Sequence, residues 1–278
     1  MGAVGNVEIE RKFLVGQRRG LTRRAADDNG IRAVGNLVVD DAAKLVIVDS
    51  AIGGLGWAWL PFMLTDYDQV DEYYINGWIN DELTKQYADN GLIRVAPTEN
   101  CFRECGNVKR PINSMADMTG LKIRVPETQA CQDFYTALGA IPAAIATSET
   151  LAALEQGTVD GVDNSIYNMK SMGVLEKIKY ITMLNYMYSG ASITCSEEFW
   201  NSMTANQQAA DEAGAFFREN MRADEQTILD QGSFEVEEID PSSDFYKQMK
   251  EKAVELWAGY ASEYPSDIMD RINQDFSV

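Results

Sequence analysis

Apolar and polar residues alternate around the middle of the chain in a way that predicts a β-strand. Leu121, Ile123 and Val125 point to one face, whereas Lys122 and Arg124 point to the other, because successive strand side chains alternate. The proline that follows ends the strand, since it has no N–H to donate. An arginine near the end of such a strand lies where open α/β sheets bind ligands, although an ion-paired surface arginine fits the same pattern.

The rest of the chain alternates between helical and strand periodicity. Residues 45–48 and 92–96 are predicted strands, and residues 66–90 between them form one or two amphipathic helices. The later predicted elements, in order, are helix 128–138, helix 148–157, strand-to-loop 159–164, strands 180–188 and 192–195, helix 203–232 and a last amphipathic helix at 246–260. Repeated helix-then-strand order indicates parallel α/β architecture. At ~1.5 Å per residue, helix 203–232 would extend for roughly 40 Å, long enough to run across two domains.

Composition limits the function classes. The chain has 278 residues, of which 45% are hydrophobic and 24% charged, as expected for one large or two medium globular domains. Its formal net charge is −19 and it has no histidine, which disfavours nucleic acid and anionic membrane surfaces as partners. A histidine-dependent triad or a histidine-rich zinc site is excluded. The negative protein would repel an anionic ligand at long range, so such a ligand would bind only where arginines reverse the potential locally. Salt screens the long-range repulsion, and the charges of the site itself then decide whether the ligand binds.

Four cysteines stand at positions 101, 105, 131 and 195. Their spacing does not match a zinc ribbon. The two neighbouring thiols at 101 and 105 would supply only two ligands, too few for a closed tetrahedral zinc site. A disulfide between these two and a pair of buried free thiols are both compatible with the sequence. No run approaches the ~18 apolar residues of a membrane helix. The first twenty residues lack the apolar core of a secretory signal, so we expect either a cytoplasmic protein or one whose signal is absent from this sequence.

Residues 7–15 alternate like a strand that carries Glu8, Glu10 and Lys12 on one face. This segment, VEIERKFLV, resembles the opening strand of the triphosphate tunnel enzymes, whose Glu-x-Glu-x-Lys motif helps to bind metal and triphosphate. The resemblance implies an alternative function, metal-dependent triphosphate hydrolysis. Those enzymes need further charged strands, which the remaining sequence does not supply, so we interpret the match as chance or as a foreign N-terminal piece.

Two longer motifs resemble the solute-binding proteins of TRAP transporters, the DctP family. Residues 117–126, DMTGLKIRVP, are similar to that family's DLKGLKIRVP signature, and residues 148–161 match its SEVYxALQxGxVDG signature. Shorter similarities occur in LPF at 60–62 and in NCFRE at 100–104, where Cys101 stands in place of the family's glycine. The order of motifs agrees from about residue 46 onward.

The resemblance implies an α/β, two-lobed, periplasmic-binding-protein-like fold of the class II type, with the long helix spanning both lobes. It implies that residues 1–101 form lobe I, with residues 1–45 atypical, and that residues 102–189 form lobe II. Residues 190–229 would then return to lobe I and include the long helix, and residues 230–278 would form C-terminal helices that pack on lobe II.

By position in these motifs, Arg124 corresponds to the family arginine that pairs with the ligand carboxylate, Arg103 to a second ligand-contacting arginine, and Asn164 to a polar ligand contact. The looser candidates for the pocket wall are Asp49, Trp59, Thr147, Tyr167 and Tyr188. The chemistry of the residues agrees, because a planar guanidinium takes both carboxylate oxygens as lysine cannot.

The resemblance therefore implies a periplasmic, monomeric binding protein that captures a small organic acid by hinge closure. The ligand would be a carboxylate, with Asn164 and Tyr167 favouring a hydroxylated sugar acid, and the partner would be the membrane subunits of a TRAP transporter. We expect no catalytic residue, no metal ligand, no cofactor, no nucleic-acid partner and no direct membrane insertion. A ligand-sensing receptor that uses the same cleft is a third reading.

Overall fold

The computed structural model of the chain describes residues 45–48, 52, 54–197, 200 and 207–276. The strands are β1 (Leu45–Val48), β2 (Leu92–Phe102), β3 (Glu104–Asn107), β4 (Lys122–Val125), β5 (Ile141–Ala144), β6 (Gly161–Asn164), β7 (Tyr180–Met183), β8 (Tyr188–Ser196) and β9 (Glu235–Glu238). The α-helices are α1 (Tyr67–Gln69, continued by a π-helical segment at Val70–Ile75), α2 (Trp78–Asp89), α3 (Met115–Met118), α4 (Gln129–Ala137), α5 (Thr150–Glu155), α6 (Ile166–Ser171), α7 (Gln207–Gln231), α8 (Asp244–Tyr260) and α9 (Ser266–Phe276).

These strands form two sheets. The first has three antiparallel strands in the order β1-β8-β2, and the second has six strands in the order β5-β4-β6-β3-β7-β9. Strand β4 runs parallel to both of its neighbours, whereas β3 runs antiparallel to both of its own. The chain passes from the first sheet to the second between β2 and β3, where Arg103 is the single connecting residue, and it returns between β7 and β8. The two crossings touch, because the Arg103 N–H donates to the Met187 carbonyl at 3.0 Å.

Helix α7 connects the two parts of the molecule a third time. Its 25 residues correspond to about 37 Å of helix. Near its start, Gly214 lies so close to β2 that an added Cβ would be 2.9 Å from the Pro97 carbonyl oxygen, and Arg218 donates to that same oxygen at 2.5 Å. Near its end, Ile228 is buried against Val162 and other apolar residues beside the six-stranded sheet. The predicted two-lobed architecture with a long helix spanning both parts is confirmed.

Within the described part of the chain, the buried apolar residues form two clusters. The larger one includes Trp57, Tyr74 and Phe134, and it continues into the C-terminal helices through Trp257, whose indole N–H donates to the Pro61 carbonyl at 2.9 Å. The smaller cluster lies beside β6, α6 and the end of α7. The residue limits of the two lobes that we inferred from the motifs stay a prediction.

The helical region 66–90 forms two helical segments, one of the two predicted alternatives, with Gly77 as the N-cap residue of α2. Three other predicted elements differ from the structure. Strand 92–96 continues to Phe102 as β2. The predicted strand 180–188 is broken, because Asn185 adopts a positive φ of 45° and the backbone turns toward the carboxylate of Glu104. Helix 246–260 is not the last helix, since α9 follows it.

Several sequence-based expectations concern other features. All four cysteines are buried free thiols, so the disulfide alternative for Cys101 and Cys105 is wrong. Among the described residues, no helix has the length and apolarity required to cross a membrane. The charged triplet of the N-terminal segment, Glu8, Glu10 and Lys12, lies outside the described residues.

Candidate ligand-binding site

Arg124 lies on β4, between two parallel neighbours, and only 1% of it is exposed. Its Nε donates to the Ile145 carbonyl at 2.7 Å and its Nη2 donates to the Thr147 hydroxyl at 3.3 Å. Both partners follow β5, which pairs with β4 in the register Val125 to Ala144. The carboxyl ends of these adjacent parallel strands therefore hold one guanidinium, at the edge where open α/β sheets bind ligands.

Arg103 forms a buried ion pair with Asp163. Its Nη2 lies 2.8 Å and its Nε 3.1 Å from Oδ2 of that carboxylate, and Nη2 also donates to the Asp163 carbonyl at 3.0 Å. The other carboxylate oxygen accepts from the Tyr186 hydroxyl at 3.2 Å. Burial alone would lower the pKa of Arg103, but Asp163 more than offsets this and holds the pKa well above its ordinary value. The charge of Arg103 is thus both permanent and compensated within the protein.

The two arginines act on a common neighbour. Cys131 is fully buried on α4, and burial raises the pKa of its thiol to about 12 even though both Arg103 and Arg124 favour the thiolate. Arg124 pairs with Val162 on β6, and Arg103 binds Asp163, the next residue along the same strand. Sequence reasoning expected both arginines to contact one ligand, and the structure brings them to the same region.

Asn164 is the last residue of β6, and 7% of it is exposed. Its Oδ1 accepts from the Ser165 N–H at 2.9 Å and from Asn168 Nδ2 at 3.2 Å. Its own Nδ2 lies 3.4 Å from the Met172 sulfur. The side-chain amide is thus held on its oxygen side by donors and faces only a weak acceptor on its nitrogen side.

The remaining candidates occupy different places. Trp59 is buried beneath Arg103, with the guanidinium carbon 5.7 Å from the ring centroid. Thr147 contacts Arg124, as described above, whereas Tyr167 is half-buried on α6 and packs on the smaller core cluster. The hydroxyl of Tyr188 donates to Glu99 at 2.8 Å. Asp49 lies outside the described residues.

Sequence reasoning missed Asp163, the partner of Arg103. The motif VDGVDN marked a polar strand end, but only the structure shows that this acidic residue points inward from β6 toward an arginine 60 positions earlier. The signal available in the sequence was the pair of adjacent polar residues, Asp163 and Asn164, because neighbouring residues on a strand face opposite sides.

A second buried group of polar side chains lies where α7 meets β2 and α6. Glu225 accepts hydrogen bonds from the Tyr67 hydroxyl at 3.2 Å and from the Ile166 N–H at 3.3 Å. Burial raises the pKa of Glu225 to about 7. Beside it, Glu99 is paired with Arg222, whose Nε lies 2.8 Å from Glu99 Oε1. This group joins the long helix to both sheets, and the hydrogen bond from Tyr188 to Glu99 connects it to one of the looser pocket-wall candidates.

The two sheets, the three connections between them and the arginines at the strand ends define a two-lobed solute-binding protein. The family model described as bacterial extracellular solute-binding protein, family 7, DctP, matches residues 48–263. The chain belongs to this family, and the resemblance inferred from its motifs is confirmed.

Individual relatives agree with this assignment. The chain is 26% identical over 189 residues to the C4-dicarboxylate-binding periplasmic protein DctP of Rhodobacter capsulatus, a match that covers 65% of this chain and 56% of that protein. The chain spans about half the length, or less, of the first curated relatives that it matches.

Two solved structures show the same fold. A TRAP periplasmic solute-binding protein from Ochrobactrum anthropi is 24% identical, with a TM-score of 0.79 over 88% of this chain and 80% of that one. Another, from Polaromonas sp. JS666 and bound to D-erythronate, is 26% identical, with a TM-score of 0.73 over 92% of this chain and 86% of that one.

Proposed function

We propose that this protein captures a small organic acid between its two lobes by hinge closure and delivers it to the membrane subunits of a TRAP transporter. In this role it acts outside the cytoplasm, as a monomer, and makes or breaks no covalent bond. The observation that carries the proposal is the guanidinium of Arg124, buried at the ends of two parallel strands and oriented there by Ile145 and Thr147.

The physical chemistry of Arg124 supports a carboxylate as its ligand. The carboxyl ends of parallel strands are where open α/β sheets bind ligands, and the positive charge of a guanidinium at that place favours an anion. A guanidinium and a carboxylate match in shape and form two parallel hydrogen bonds. Because each hydrogen bond to a charged group contributes on the order of 1.5–3 kcal/mol, a few such bonds support a dissociation constant in the micromolar range, about −8.2 kcal/mol.

The ion pair between Arg103 and Asp163 bears on whether the ligand has one carboxylate or two. Since Asp163 compensates the charge of Arg103, a second ligand carboxylate would meet a neutral pair rather than a second cation. Arg103 and Asn164 are instead suited to donate hydrogen bonds to uncharged oxygens. We therefore propose a monocarboxylate with hydroxyl groups, a sugar acid, in preference to a dicarboxylate. The relative bound to D-erythronate is consistent with this choice.

A thermal-shift screen against acidic metabolites tests the function. The probes include D-erythronate, galactonate and succinate, and a ligand at 100 times its dissociation constant should stabilise the fold by about 2.7 kcal/mol. Arg124→Lys keeps the positive charge but removes the planar fork, and we expect it to abolish most of the shift. Arg124→Ala should abolish all of it.

The matched control for both variants is Lys122→Ala, because Lys122 lies on the same strand with an exposed side chain. It should respond to ligand as the parent does. A ligand shift that persists in folded Arg124→Lys and Arg124→Ala would contradict the assigned role of Arg124. A parent protein that responds to no organic acid would contradict the proposed function itself.

A further inference from the structure

Three asparagine side chains form a chain of hydrogen bonds whose direction is set by the backbone. The Ser165 N–H donates to the Asn164 side chain, and a backbone N–H has no acceptor role. The atom of Asn164 that faces it is therefore the oxygen, not the nitrogen. This resolves the usual ambiguity between the two ends of a side-chain amide.

The orientation of Asn164 determines that of Asn168. The Asn168 atom that lies 3.2 Å from Asn164 Oδ1 must be a donor, so it is Nδ2. The same Nδ2 lies 2.8 Å from a side-chain atom of Asn100, which must therefore be the acceptor Oδ1. Both N–H groups of Asn168 are thus committed, one to each neighbouring asparagine.

Asn100 reaches α6 because of an irregularity in β2. The pairing of β2 with β8 shifts between Glu99 and Phe102, and Cys101 within this bulge has a positive φ of 56°. A bulge re-aims side chains at the end of a ladder. Here the bulge places the side chain of Asn100, on β2 of the three-stranded sheet, against the first turn of α6. Helix α6 itself lies beside the six-stranded sheet.

Capping of α6 does not account for this network. Ser165 is the N-cap residue, and its hydroxyl accepts from the Asn168 N–H at 3.4 Å. The first turn of α6 therefore does not need the side chain of Asn168, whereas the Asn164 oxygen accepts the N–H of the N-cap residue itself. The contact between Asn168 and Asn164 serves the orientation of Asn164 instead.

We propose that Asn168 is a positioning residue, which holds the oxygen of Asn164 inward so that its Nδ2 group donates a hydrogen bond to an oxygen of the ligand. This inference rests on the proposed function, in which Asn164 contacts the ligand. The thioether of Met172 occupies that Nδ2 only weakly, so a carboxylate or hydroxyl oxygen is the stronger partner. The ligand group at this point is accordingly an acceptor.

The test compares two substitutions on α6 that add the same charge. Asn168→Asp has the shape of asparagine but replaces the donor with an acceptor, so it opposes the oxygen of Asn164. Ser171→Asp adds a negative charge at an exposed position of the same helix. The dissociation constant is measured by calorimetry for D-erythronate, galactonate and succinate, and the melting temperature is measured without ligand.

We expect Asn168→Asp to weaken binding by about tenfold or more, in line with the loss of one oriented hydrogen bond, whereas Ser171→Asp binds as the parent does. Asn168→Ala removes the donor without adding charge and should weaken binding in the same direction. If the Asn168 variants are folded and bind as tightly as the parent, the positioning role is overturned while the proposed function stands. If the parent binds no organic acid, the proposed function is overturned first.

A double-mutant cycle separates positioning from general support of the fold. If Asn168 acts through Asn164, Asn168→Ala should have no further effect on the dissociation constant once Asn164→Ala is present. Additive losses in the two single variants would show that Asn168 affects binding by another route and would overturn the inference.

Discussion

At the scale of single residues, the candidate site includes a buried positive charge, that of Arg103, which the carboxylate of Asp163 compensates. Arg124, Arg103 and Asn164 were identified from local motifs, since each stands in a run of residues that resembles a family signature. Asp163 was not, because its partner is 60 positions away and no local pattern reports such a pairing. The contact between Asn168 and Asn100 was missed for the same reason, since 68 positions separate these residues. Sequence motifs thus indicate which residues belong to a site, but not which of them already satisfy one another.

The ion pair of Arg103 leads to a stability prediction. Asp163→Asn removes the compensating charge and leaves a buried guanidinium, so we expect the free energy of unfolding to fall by about 3 kcal/mol. Urea denaturation measures the change. The control is Glu155→Gln, because Glu155 pairs with Lys177 at the surface, where both side chains are about half exposed, and such pairs contribute about 0–1 kcal/mol. An equal loss in both variants would contradict the buried-pair argument.

At the scale of secondary-structure elements, periodicity predicted most helices and strands, and it failed where backbone conformation decides. Helical periodicity over 66–90 did not decide between one helix and two, and the extended backbone of Gly77, the N-cap residue of α2, divides the region in two. The apolar run at 180–188 resembles one strand, yet the backbone N–H groups of Leu184 and Asn185 turn to Glu104 and divide it. Neither interruption produces a change in the apolar pattern, so pattern analysis alone does not reveal it.

Helix α7 carries a prediction about pH. Burial raises the pKa of Glu225 from 4.5 to about 7, and the titratable groups that interact with it include Tyr67, Cys101, Glu99 and Glu104. A raised carboxyl pKa contributes stability that is complete below about pH 4.5 and is lost as the pH rises through 7. The free energy of unfolding should therefore fall by on the order of 3 kcal/mol over this interval because of Glu225.

Glu225→Gln should remove this part of the pH dependence, since glutamine stays neutral. Glu219→Gln changes an exposed residue of the same helix and should retain the dependence of the parent. Urea denaturation of the three proteins at pH 5, 6, 7 and 8 measures the difference. A parallel pH profile for the parent and Glu225→Gln would contradict the prediction.

At the scale of the whole molecule, the fold class was predictable and the strand pairing was not. Alternating helices and strands indicated parallel α/β architecture, and the long helix suggested a link between two parts. The parallel arrangement was wrong for the three-stranded sheet and for β3, whose pairings are antiparallel. However, β1 pairs with β8, whose residues lie almost 150 positions later in the register Leu45 to Thr194. Pairings at such separation depend on how the whole chain closes, and periodicity within one segment contains no information about them.

The net charge of −19 leads to a prediction about association kinetics. At low salt the Debye length is about 30 Å, so the protein repels an anionic ligand, whereas at physiological salt it is about 8 Å and the repulsion is screened. We expect the association rate constant of an organic acid to rise between about 10 and 150 mM salt. Stopped-flow tryptophan fluorescence measures it. A rate that falls with salt would show that the local field around the arginines dominates at long range.

The single-residue connection at Arg103 has a consequence for how this chain tolerates changes in length. Strand β2 pairs with β8 as far as Phe102, beyond its bulge, and β3 pairs with β6 from Glu104 onward, so Arg103 alone separates the two sheets. An inserted residue would displace Arg103 from Asp163 or shift one of the two sheets. We therefore expect variation in length among homologous chains to accumulate in surface turns, such as the exposed turn at 155–158. The crossing would then keep its length even where its residues change.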